Sequence, residues 1–158
     1  VILTASSGPP ELLSLVRQLS FCAGHRLLGH EGKCAFFHGH NYRVDLEVTG
    51  STVDSVGRII DFSALKGLFQ GWLDEHWDHG FLLYERDDNA LAAIRQIVPT
   101  KYFVLPYNPT AENMARYLLD KVSPELLADT GVVASCITVW ETDHSCAVAR
   151  RIVSPKGG

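Results

Sequence analysis

Apolar and polar positions alternate through residues 13–25 (LSLVRQLSFCAGH), with Leu19, Phe21 and Ala23 on one side and His25 in the same phase. A period of two marks a strand with one buried face. A glycine-containing loop over 28–34 follows. The alternation resumes over 38–50 (HGHNYRVDLEVTG), where His38, His40, Tyr42, Val44, Leu46 and Val48 share a face. A short return strand is predicted from Arg58 to Ile60. The period then changes: Asp61 reads as a helix N-cap, and Phe62, Leu65, Leu68, Phe69, Trp72 and Leu73 recur at helical spacing up to about Glu75. Phe62, Phe69 and Trp72 are expected in the core. The stretch 85–108 is expected to hold a short helix (89–97) and a strand (101–105). Thr110 caps a second amphipathic helix that turns Ala111, Met114, Ala115, Leu118 and Leu119 inward. Strands 135–142 and 145–152 close a hairpin around Asp143 and His144. The sum is an α+β fold, a four-stranded antiparallel sheet with two main helices on one face.

Composition narrows this picture only a little. The 158 residues suit one domain, 1–158, with a hydrophobic core. Apolar residues at 46% and charged residues at 20% are those of an ordinary globular chain. No run approaches the ~18 apolar residues of a membrane span, and no basic stretch leads into an apolar one, so neither a membrane nor a secretory signal is expected. A net charge of −4 argues against nucleic acid as partner. The four cysteines (Cys22, Cys34, Cys136, Cys146) form no CxxC pair and are expected as reduced thiols in a cytoplasmic protein.

The chemistry concentrates on histidine. Side chains at i and i+2 of a strand point the same way, so His38 and His40 can converge on one ion. His25 ends the preceding strand in the inward phase, where antiparallel pairing brings it alongside. Three imidazoles with one open position is the arrangement of catalytic zinc. An HxH pair alone is more often incidental; Cys34, four residues before His38, strengthens the case. That cysteine is either a fourth ligand or a thiolate base beside the metal, and spacing does not choose between the two.

Six ordered blocks, FCAGHRL (21–27), CAFFHGHNY (34–42), GRIIDF (57–62), WDHGFL (77–82), NPTAEN (108–113) and WET (140–142), resemble the 6-pyruvoyl/6-carboxy-tetrahydropterin synthase family nearly end to end. The resemblance implies that His25, His38 and His40 bind Zn2+ and that Cys34 is the proton-abstracting thiolate. It also implies that Asp78 and His79 complete a proton relay with the cysteine of a neighbouring subunit, and that Glu141 anchors the pterin. Thr110 and Glu112 match a segment near the pterin, although Thr110 also serves as a cap. Arg26, Lys33 and Arg43 are the cations nearest the metal loop, and none is assigned to the triphosphate.

The C-x-x-x-H-G-H spacing is that of the 6-carboxy-tetrahydropterin synthases of queuosine biosynthesis. These convert 7,8-dihydroneopterin triphosphate to 6-carboxytetrahydropterin, acetaldehyde and triphosphate. A 6-pyruvoyl-tetrahydropterin synthase eliminating triphosphate, and a non-catalytic zinc-containing pterin- or purine-binding protein, are the alternatives. The implied fold is the tunnelling fold (T-fold), in which several copies close their sheets into a barrel, so a homo-oligomer is expected, a hexamer or a tetramer. Two departures from the shorter members stand out: about ten residues before the first strand and an added stretch near 85–107.

Overall fold

The computed structural model describes residues 11–154. The expectations for the leading ten residues, and both ends of the 1–158 domain, lie outside them.

Two long strands, β1 (Leu13–His25) and β2 (His38–Gly50), pair antiparallel along their whole length, from Leu13 opposite Gly50 to His25 opposite His38. The period-two pattern sets this register, because a slip of one residue would turn every apolar side chain out. Leu19, Phe21 and Ala23 of β1 and Tyr42, Val44, Leu46 and Val48 of β2 are buried on one face. Helix α1 (Phe62–His76) covers β1 with Leu65, Phe69 and Leu73, one residue per turn. Asp61 caps it, accepting from the backbone N–H of Ser63 at 2.8 Å.

The sheet is larger than predicted and is not purely antiparallel. After α1 the chain forms β3 (Gly80–Tyr84), helix α2 (Asp88–Ile94) and β4 (Tyr102–Leu105). β3 runs parallel to β1 and β4 parallel to β3, giving six strands in the order β4-β3-β1-β2-β5-β6. Parallel neighbours need a crossover, and α2 is that crossover. It packs Ala90, Leu91 and Ile94 on Leu83, whereas Leu82, in the opposite phase, belongs to the main core. The added segment therefore lies on the sheet face opposite α1. GFLLY is a short apolar run without alternation, the pattern of a strand covered on both faces.

The return strand at 58–60 is absent. Asp54 accepts from the backbone N–H groups of Val56 and Arg58, and its carboxylate also holds the Arg58 side chain. That side-chain turn takes the backbone donors a ladder would use. Phe62 and Leu68 are exposed rather than core, and Trp72 is half-buried. His76 is half-buried against Trp72, with ring centroids 4.6 Å apart.

Thr110 caps α3 (Ala111–Tyr117), which widens into a π-helical turn (Leu118–Val122) and continues as α4 (Ser123–Leu126). A proline ring clashes with the carbonyl four residues back, and Pro124 follows this wide turn. The Ser123 hydroxyl and backbone N–H both return to Leu118 O. Strands β5 (Val133–Thr142) and β6 (Ser145–Arg150) close the sheet as the expected hairpin. No helix among the described residues is long and apolar enough to cross a membrane.

Candidate metal centre and acid–base pair

The pairing that sets the core also builds the candidate metal site. His25 and His38 are cross-strand partners at the end of the β1–β2 ladder, and His40 lies opposite Ala23. All three imidazoles lie on the core face, His25 fully buried and the others partly so. Gly39 between them has no room for a side chain, since a Cβ there would sit 2.9 Å from the Ala23 carbonyl oxygen. Glu141 near the end of β5 adds a fourth donor, with Oε1 at 3.3 Å from His25 Nε2 and 3.2 Å from His40 Nε2. His25 Nε2 and His38 Nε2 are 3.1 Å apart.

Proton bookkeeping shows what this cluster suits. His25 Nδ1 donates to Pro109 O at 2.8 Å, and His38 Nδ1 donates to Phe36 O at 2.8 Å. A carbonyl only accepts, so each ring carries its proton on Nδ1 and turns an Nε2 lone pair toward its neighbour. Two such lone pairs and a carboxylate oxygen repel one another unless a cation lies among them. A tetrahedral ion with bonds of ~2.0–2.1 Å spaces its donors about 3.3 Å apart, close to the separations found. His40 Nε2 is buried and makes no hydrogen bond. Burial lowers the His40 pKa against the pull of Glu141, keeping this ring a neutral donor. The cluster offers four donors to a metal ion.

Supporting contacts that local patterns do not mark fix these rings. Pro109 and Asn108 precede α3, and Asn108 clamps the loop after β1 with both ends of its amide, on Leu28 N (2.8 Å) and Leu28 O (2.9 Å). The Tyr42 hydroxyl lies 3.2 Å from His25 Nε2. Burial first, then Glu141 and Cys34, push its pKa far up, so it stays protonated. Cys34 sits half-buried in a 3-10 turn (Lys33–Ala35) whose carbonyl accepts from Leu27 N at 2.8 Å, two residues beyond His25. It is not among the four clustered donors; Glu141 takes the fourth place.

Asp78 and His79 follow α1 and form a tight pair, Oδ2 to Nδ1 at 2.6 Å. They do not meet Cys34 within this chain. Asp78 accepts from Cys22 N at 2.8 Å, and the Cys22 sulfur lies 3.7 Å from both ring nitrogens of His79. Cys22 alternates with the buried Ala23, so this cluster occupies the sheet face away from the metal histidines. Burial raises the Asp78 pKa, but the Cys22 N–H and the His79 contacts outweigh it and bring the carboxyl below its ordinary range. His79 has φ +56°, a left-handed conformation uncommon for histidine.

Thr110 accepts from Asn113 N at 3.3 Å, and Glu112 is exposed in the first turn of α3. Arg26 is held by Asp87, and Arg43 stacks 4.4 Å over the Trp140 ring.

The protein is a mixed α+β sheet that gathers three histidines and a glutamate into one cluster on one face. A family model for 6-pyruvoyl tetrahydropterin synthase matches residues 14–151. The chain is 34% identical over 133 residues to a 6-carboxy-5,6,7,8-tetrahydropterin synthase of Rickettsia bellii, covering 84% of this chain and 96% of that one. It is 31% identical to the enzyme of that name from Haemophilus influenzae, covering 85% and 96%. An uncharacterized protein from Wolinella succinogenes shares the fold with a TM-score of 0.76 at 21% identity, over 90% of this chain and 99% of that one. A 6-pyruvoyltetrahydropterin synthase from Plasmodium vivax, solved as a catalytic-residue mutant, matches over the same shares with a TM-score of 0.68 at 21% identity. The chain belongs to the 6-pyruvoyl tetrahydropterin synthase family and has its tunnelling fold.

Proposed function

We propose that this protein is a zinc-dependent 6-carboxy-5,6,7,8-tetrahydropterin synthase, a lyase that converts 7,8-dihydroneopterin triphosphate to 6-carboxytetrahydropterin, acetaldehyde and triphosphate. The convergence of His25, His38 and His40 with lone pairs facing one point carries the reading. The names of the Rickettsia and Haemophilus relatives and the C-x-x-x-H-G-H spacing favour the 6-carboxy product over the 6-pyruvoyl one.

When bound, the ion supplies Lewis acidity toward the hydroxyls of the substrate side chain. Cys34, beside the cluster, removes the proton from the adjacent carbon. His79, oriented by Asp78, relays that proton. Glu141 accepts from the adjacent N–H groups of the pterin's amino-pyrimidine edge as its Oε1 turns from the imidazoles. Thr110 and Glu112 flank the pterin from the start of α3. On this reading a second copy supplies the Asp78–His79 pair, which within one chain lies on the sheet face away from the histidines, and the enzyme is a homo-oligomer, hexamer or tetramer. The outer ladders of β4 and β6 offer the edges for its closure. Free cysteines throughout the described residues suit a cytoplasmic enzyme of one domain, 1–158.

The test is mass spectrometry of the products after zinc-loaded protein is incubated with 7,8-dihydroneopterin triphosphate. Carboxytetrahydropterin with acetaldehyde is the expected result. A 6-pyruvoyl product moves the protein to the other branch of the family. Unchanged substrate overturns the catalytic reading in favour of a pterin-binding protein.

A further inference from the structure

The Cys22–His79–Asp78 group has a geometry of its own. The thiol has the imidazole within 3.7 Å, and the imidazole is oriented by a carboxylate that also receives the Cys22 backbone N–H. The sulfur is equidistant from both ring nitrogens and the three side chains lie within mutual reach, so the thiol sits directly beside an imidazole that can take its proton. Tight pairing with Asp78 and the Cys22 carbonyl, which accepts from His79 N at 2.7 Å, hold His79 at its positive φ. The group opens on a shallow, open groove that Cys22 and His79 share with His38, His40 and the rings of Phe37 and Phe81. Phe81 covers Gly24 so closely that a Cβ there would lie 2.5 Å from its ring, and Phe37 meets Phe81 edge-on at 5.5 Å. A thiol in an open groove beside two aromatic rings suits a small, flat, soft electrophile.

We propose that Cys22 is a second reactive thiol, activated by Asp78–His79, and that it takes conjugated carbonyl compounds. The Cys22 sulfur adds to the β-carbon of the electrophile as its proton passes to His79. The alkene pair moves to the α-carbon, which receives that proton from the imidazolium. One S–C bond and one C–H bond form, no group leaves, and no co-reactant is needed. The inference rests on reading Asp78–His79 as an acid–base pair, and it is independent of which pterin product is made.

The experiment is competition labelling of the intact protein at pH 7 with limiting N-ethylmaleimide, quantified by peptide mass spectrometry at each cysteine. Cys146 on β6 is exposed and Cys22 is half-buried, so access alone favours Cys146. The expected result is a Cys22 label roughly tenfold above that at Cys146. In His79→Asn the ratio falls below one, because asparagine tolerates the left-handed backbone but takes no proton. Asp78→Asn lowers it by a smaller factor, and a circular dichroism spectrum matching wild type confirms that each variant is folded. A wild-type ratio of one or less overturns the proposal, as does a ratio unchanged in folded His79→Asn. Absence of pterin turnover with the labelling ratio intact would sink the enzymatic reading and leave this one standing.

Discussion

The two clusters of this protein lie on either side of the same strand and have opposite characters. On the core face, His25 is fully buried, with its Nδ1 proton held by Pro109 and its Nε2 facing three other donors. On the other face, the His79 side chain is 78% exposed, paired with Asp78 and beside a thiol. A phase difference of one residue along β1, Cys22 against Ala23, separates them. Imidazoles whose converging nitrogens carry no proton suit a cation; an exposed imidazole on a carboxylate suits proton transfer. Within one chain the two clusters do not meet.

The largest expected effect comes from emptying the buried cluster. His25→Ala should abolish both turnover and stoichiometric metal content, read by elemental mass spectrometry, whereas Asp78→Asn should keep the metal. Cys34→Ala sharpens the division: it should retain full metal content and lose roughly 10²–10⁴ in kcat. Loss of metal there would make Cys34 a ligand and remove it as the base. Mixing the inactive Cys34→Ala and His79→Asn proteins, unfolded and refolded together, should recover part of the wild-type rate. No recovery would mean that the two faces do not combine between copies.

Smaller effects test the supports. Asn108→Ala frees the loop clamped at Leu28 and loosens the Pro109 carbonyl on His25, so metal affinity measured against a chelator should fall about tenfold. The smallest change concerns the added segment. Asp87 is 2% exposed, caps α2 and takes two 2.6 Å hydrogen bonds from Arg26. Hydrogen bonding to Arg26, then the Ala90 N–H and the Arg26 charge, hold its carboxyl below the ordinary range against burial. That pair stabilises the fold above the unfolded carboxylate value of about 3.9, and the contribution disappears as pH falls through the lower folded value. Wild-type Tm should therefore drop more between pH 5 and pH 3 than that of Asp87→Asn. Equal drops would show that Asp87 is protonated together with the rest.

Much of the histidine cluster was legible in the chain. Alternation placed Leu19, Phe21, Ala23 and His25 in one phase and His38 and His40 in another strand's inward phase, and both long strands run over the predicted residues. The caps at Asp61 and Thr110 were legible for the same reason, since each acts on backbone within three residues. Phe62 was misread because helical spacing marks a stripe without saying how far the sheet beneath it extends. The strand at 80–84 escaped because a run buried on both sides has no period.

What the sequence determined by itself is therefore local: strand phase, helix caps, and the histidines that share a face, all set by sterics and burial over a few residues. What only the tertiary structure decided depends on contacts across long separations. The parallel docking of β3 on β1 carries His79 to Cys22, 57 residues away, and away from Cys34. The β2–β5 pairing brings Glu141 rather than Cys34 to the fourth donor position. Those outcomes are fixed by which strand neighbours which, and no periodicity along the chain encodes that.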